Sequence, residues 1–227
     1  YVASGSPYQD GALGFAALNV ANGTFLSTGS GTVDIVNKVN VNGSFSFEDF
    51  NGTLNLNGDV VIASNATISV PAPLATLVVR GGVSGSGVLT KDGVGTLQFG
   101  NNTGFAAPMG WNYYAQPKTT ASGGIILNNG TLIGFQQSGQ ANVLGAGAII
   151  LNGGLLALRS NFGDNAVLAF GNDVSVSTSL VGATIDVGGS NKVNTMLMGS
   201  LNISPNTVLN ITSIGGTTNN VAFAGTG

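Results

Sequence analysis

Nine carboxylates carry most of the acid–base chemistry open to this 227-residue chain, which has no histidine and no cysteine. Glu48–Asp49, Asp59, Asp92 and Asp164–Asp173 are the candidates for paired acid–base work on a polysaccharide, where one carboxyl protonates and the other activates. Neighbours in a strand point to opposite faces, so Glu48 and Asp49 converge only inside a turn. The competing reading makes all of them solvated corner residues. Without histidine the commonest general base, the Ser–His and Cys–His pairs and the commonest metal ligand are all missing. No D-x-D calcium run occurs, and without cysteine there is neither a disulfide framework nor a thiolate site. The expectation is therefore no catalytic residue, no metal and no cofactor. Gly85–Ser86–Gly87 is not a phosphate loop, because no Gly-Lys-Ser/Thr and no helix follow it.

A second kind of chemistry sits in residues 101–121, NNTGFAAPMGWNYYAQPKTTA, which hold the only tryptophan, two of the four tyrosines and two prolines. A structureless stretch of this length inside a regular domain usually has a purpose. It reads as a loop projecting at about 105–121. Trp111, Tyr113 and Tyr114 are the binding candidates, able to stack on sugar rings or to bury in a partner. The alternative is a loop folded back to cap the body. Eight N-x-S/T triplets begin at Asn22, Asn42, Asn51, Asn65, Asn101, Asn129, Asn202 and Asn210, the acceptor pattern for N-linked sugar. Asn-Gly corners followed by a strand-opening threonine also produce such triplets.

The elements that must hold these groups are short strands. Charged residues make up 7% of the chain, against about 25% in an average soluble domain. The surface must then consist of Asn, Ser, Thr, Gly and backbone, which suits strands and disfavours exposed helices. The net charge of −3 lacks the basic footprint of a nucleic-acid binder. No run reaches the roughly 18–20 apolar residues of a membrane span. The chain opens at Tyr1 without a methionine or a signal-like segment, as expected of a processed protein or a piece of a longer one.

Alternation and glycine punctuation recur throughout. Thr32–Val36, Lys38–Val41, Ser44–Phe47 and Ala66–Val70 alternate with period two, and Pro71–Ala72–Pro73 ends the last of them. In VSGSGVLTKDGVGTLQFG, residues 83–100, two short apolar runs flank a corner at Lys91–Asp92–Gly93. The unit "apolar triplet, Asn-Gly, apolar triplet" occurs at Ile125–Ile133 and again at Ile149–Leu158, placing Leu127 and Leu151 at equivalent positions 24 residues apart. That interval is the size of one solenoid coil. It predicts an all-β chain folded as one single-stranded parallel β-helix over 1–227, of roughly ten coils and about 50 Å. The runner-up is a β-sandwich, which short strands at regular spacing also permit.

Residues 83–102 resemble the autotransporter-associated β-strand repeat of bacterial surface proteins, roughly G-x-G-x-L-x-K-x-G-x-G-T-L-x-L-x-G-x-N. Gly85, Gly87, Leu89, Lys91, Gly93, Gly95, Thr96, Leu97, Gly100 and Asn102 fall in place, with Phe99 at the second apolar position. Residues 123–135 and 142–158 resemble its continuation, so the match covers about 83–158, interrupted by the aromatic insert. The resemblance implies a parallel β-helix exported to the bacterial cell surface. The expected function is an extracellular structural or adhesive rod. Its partners would be copies of itself or the rest of a longer chain, through open helix ends. The alternative is a carbohydrate-binding module working through Trp111, Tyr113 and Tyr114 on surface glycans. Less favoured is a polysaccharide-degrading enzyme. No nucleic-acid partner and no membrane insertion are expected.

Overall fold

The computed structural model describes residues 16–100, 119–137, 142–161, 163, 165–177, 182–189, 193–214 and 219–225. All of its regular structure is β, and every strand pairing is parallel. The chain winds through three faces and then returns one step further along, a β-solenoid. The parallel pairing removes the sandwich alternative, whose sheets are antiparallel.

Coils are numbered here by their passage over the first face. On that face lie Leu18–Val20, Val39–Val41, Val60–Ile62 and Val83–Ser84 for coils 1 to 4, then Val167–Ala169, Thr195–Met198 and Asn220–Phe223 for coils 7 to 9. Coils 5 and 6 cross it without a strand, along 119–124 and 142–148. The second and third faces are each eight strands deep, from Thr24–Leu26 to Leu201–Ile203 and from Thr32–Ile35 to Leu209–Ile214. Eight strands at 4.8 Å spacing span roughly 34 Å, shorter than expected from the sequence. The first coils are 21 residues long, with Leu18 beside Val39. Later coils lengthen, with Leu155 beside Thr184, and one coil absorbs the aromatic insert, with Leu89 beside Ile125. Longer coils mean fewer of them.

Inward residues stack in columns, because side chains in a strand alternate and the strands lie in register. On the third face one column runs Val33, Leu54, Leu77, Leu97, Leu132, Leu156, Ile185 and Ile211. Each fully buried leucine in it contributes about 1.5–3 kcal/mol of transfer free energy. The next column is interrupted at Gly134, between Phe99 and Leu158, and the space is taken by Leu144 and Phe170. The predicted equivalence of Leu127 and Leu151 is the observed register, as is that of Ile125 and Ile149.

Corners are held by side chains that reach into the next coil. The Asn22 side-chain carbonyl accepts the Ser44 amide at 2.7 Å, Asn65 accepts Val88 at 2.9 Å, and Asp59 accepts Gly82 at 3.2 Å. Asparagines also stack on one another, Asn40 donating to Asn19 and Asn152 to Asn128, each at 2.8 Å. Such bonds satisfy amide and carbonyl groups that turn away from the ladders.

Candidate functional site

Among the described residues, the acids singled out from the sequence do not converge. Glu48 accepts from the Ser46 hydroxyl on the exposed side of its corner, while Asp49 turns the other way and is buried. Asp49 is therefore not a solvated corner residue, contrary to expectation. Its Oδ2 accepts the Thr28 amide at 2.8 Å and the Thr28 hydroxyl at 2.5 Å, and its Oδ1 accepts the Ser30 amide at 3.1 Å. These bonds tie the corner of coil 1, where Ser30 has a positive φ of 69°, to coil 2. The Thr28 hydroxyl first, then the Thr28 and Ser30 amides, hold the Asp49 carboxyl down at about 2 from 3.8.

A carboxyl with a depressed folded pKa stabilises above its unfolded pKa and loses that contribution as pH falls through its folded one. Stability should decline from about pH 4 to about pH 2. In Asp49→Asn this part of the acid limb should be absent, read as urea midpoint against pH. An unchanged acid limb in the variant would remove Asp49 from the explanation.

The other described acids are likewise occupied. Asp92 accepts the Gly93 amide at 2.8 Å, and Asp173 accepts both the amide and the hydroxyl of Ser200 at 2.7 Å. The Ser200 amide is the main cause that lowers the Asp173 carboxyl. Asp34 meets Arg80 at 3.6 Å and accepts from the Asn57 side-chain amide at 2.9 Å. Among the described residues no three His, Cys, Asp or Glu side chains come together to hold a metal ion. A cavity bounded by Ile62, Val83, Leu89, Phe99, Ala121 and Val143 amounts to about 10 Å³. That admits one water at most. Trp111, Tyr113, Tyr114 and Asp164 lie outside the described residues.

Two polar clusters escaped the sequence reading. Lys91 is not the corner residue that the sequence suggests: its stem lies inside the helix, in the inward column between Ile68 and Leu127, and the residue is fully buried. Its ammonium group donates to the backbone carbonyls of Asp92 at 2.7 Å, Gly93 at 2.6 Å and Asn129 at 3.3 Å. Three donors meet three acceptors, and the third acceptor belongs to the next coil. Burial pushes the ammonium down to about 8 from 10.5, against the opposing pull of the Asp92 charge. The missed signal was parity: Leu89 and Lys91 are two apart and must share a face.

The second cluster is Asp186, on the outward side of the third face and only 2% exposed. Arg159 forms an ion pair with its carboxylate and also donates to its backbone carbonyl at 2.9 Å, and the Thr212 hydroxyl donates to its other carboxylate oxygen. Three successive coils are thus joined through one carboxylate. No family model, no curated protein and no solved structure matches the chain.

Proposed function

We propose that the chain is a non-enzymatic structural and adhesive module of the bacterial cell surface, a stiff rod that extends by seating a second copy on its open end. The observation that carries the reading is the last coil. Ile203 and Ile211 stand in the inward columns below Val176 and Ile185, both buried, yet are 44% and 54% exposed. The edges of the second and third faces in the last coil, to which no described strand pairs, run parallel to the edges that begin the first coil, so a copy placed head to tail continues every column. In the third face Ile211 would then meet Val33. Residues 201–225 contain no charged side chain, so nothing repels such a neighbour. A head-to-tail contact of this kind does not close, and it builds fibres.

Sedimentation velocity over a concentration series should show growing end-to-end species, seen as rods by electron microscopy. Ile203→Asp with Ile211→Asp should raise the dissociation constant at least tenfold, about 1.4 kcal/mol. A chain that stays monomeric at the highest concentrations, before and after substitution, overturns the reading.

A further inference from the structure

We propose that the exposed asparagines of the N-x-S/T triplets are acceptor sites for N-linked sugar, so that the rod carries a saccharide coat in place of surface charge. Asn22, Asn42, Asn51, Asn65, Asn129, Asn202 and Asn210 open such triplets, and all seven are exposed. Asn37, Asn55, Asn57, Asn172, Asn194 and Asn219 are buried and open none; Asn19, Asn128, Asn165, Asn206 and Asn220 are exposed and open none either, so surface position is common to every described triplet without being peculiar to them.

Several buried asparagines use the side-chain nitrogen as a donor within the fold: Asn37 to the Ala16 carbonyl at 2.7 Å, Asn57 to Asp34 at 2.9 Å, and Asn172 to the carbonyls of Gly145 and Gly147 at 2.9 and 2.8 Å. In three of the triplets the asparagine oxygen does the structural work. Asn22 accepts the Ser44 amide, Asn65 the Val88 amide and Asn129 the Gly130 amide, at 2.7, 2.9 and 2.7 Å. Their Nδ2 atoms have no protein acceptor among the described residues, so a sugar can be attached there without breaking a bond of the fold.

Corner grammar alone does not produce this pattern. Asn65–Ala66–Thr67, Asn202–Ile203–Ser204 and Asn210–Ile211–Thr212 lack the Asn-Gly pair, and the last two lie on strands. The physical need is plain as well: with 7% charged residues the surface has little to keep rods apart in water.

The transfer joins Nδ2 to the anomeric carbon of a sugar activated through its anomeric phosphate. The amide proton leaves to a base, and the phosphate-bearing carrier departs with the bonding electrons. Asn22, Asn42 and Asn65 lie on one edge of three consecutive coils, about 4.8 Å apart per step. Sugars on adjacent coils would collide, so partial occupancy is expected along that edge.

The test is peptide mapping by mass spectrometry, with fragmentation that keeps the sugar in place, on the chain recovered from the cells that make it. Hexose or N-acetylhexosamine on several of the seven, and on none of the buried asparagines, is the expected result. Thr67→Val keeps Asn65 and its bond to Val88 but destroys the triplet, and should abolish the increment at Asn65 alone. Repeating growth with lipid-linked sugar synthesis blocked identifies the donor, since sites still filled draw on a nucleotide sugar. Unmodified asparagine at all seven positions overturns the proposal, as does an increment at Asn65 that survives Thr67→Val.

Discussion

Lys91→Ala should lower the stability of the solenoid by about 3–5 kcal/mol, the range for a large core truncation that also strips hydrogen bonds. Two losses combine. The lysine stem fills the column between Ile68 and Leu127, and its removal leaves a cavity. The ammonium satisfies the carbonyls of Asp92, Gly93 and Asn129, and its removal leaves them bare. Lys91→Met separates the two, because it keeps the stem and loses the donors. It should cost about 1–3 kcal/mol, the penalty for unsatisfied buried carbonyls. A Met variant as stable as the parent would mean that the charge itself was the burden, as happens at some buried ionic sites.

The pH dependence gives a second reading of the same group. Its folded pKa of about 8 lies below the ordinary 10.5, so between those values the unfolded chain holds a proton that the folded chain has released. Stability contributed by Lys91 therefore rises with pH through that window, by about 3 kcal/mol at 1.36 kcal/mol per pH unit. Chemical denaturation of the parent and of Lys91→Met from pH 7 to pH 11 isolates the term, since only the parent should show the rise. Parallel curves would overturn it.

Gly123→Ala should be among the most damaging single methyls in the described residues, costing about 3 kcal/mol or more through overpacking that cannot relax. A Cβ at Gly123 would stand 1.9 Å from the carbonyl oxygen of Gly87. A Cβ at Gly87 would likewise stand 2.3 Å from the Ser64 carbonyl oxygen, and one at Gly147 2.2 Å from that of Gly123. One corner of the helix is thus a column of backbone on backbone, with no flexible side chain to move aside. Gly163, where nothing lies within 4 Å of a built Cβ and φ is not positive, is the control. Gly163→Ala should be neutral or stabilising by about 0.4–1 kcal/mol through the unfolded chain. Thermal unfolding of both variants checks the contrast, and equal melting temperatures would sink the packing argument.

Much of this architecture is legible in the sequence because a solenoid repeats its physics locally. Period-two alternation located the strands, and the echo of Ile125–Leu127 in Ile149–Leu151 is the inter-coil register itself. The coil number was not legible. An interval of 24 residues in the middle says nothing of the 21-residue coils before it or the longer ones after it. The candidate acids were visible as residues but not as partners. Asp49 binds Thr28 from the coil before, and Arg159 meets Asp186 across 27 residues, distances in sequence at which no local pattern speaks. Lys91 hid for another reason: a charge at an inward position contradicts the binary pattern, and only the converging carbonyls explain it.

The ladders of this fold also decide how it carries a load. Backbone hydrogen bonds in a parallel coil stack run along the rod, so tension applied to its two ends is borne by all the bonds of one junction at once. The covalent chain crosses each junction only once per turn. Strength is then set by the most sparsely bonded junction. Between coils 4 and 5 the first face has no strand pair, only the amides of Thr120, Ala121 and Ser122 reaching the carbonyls of Val83 and Gly85. That is also the junction Lys91 spans through Asn129. The buried ammonium acts there as a rivet across a seam that lacks a strand ladder on one of its three faces.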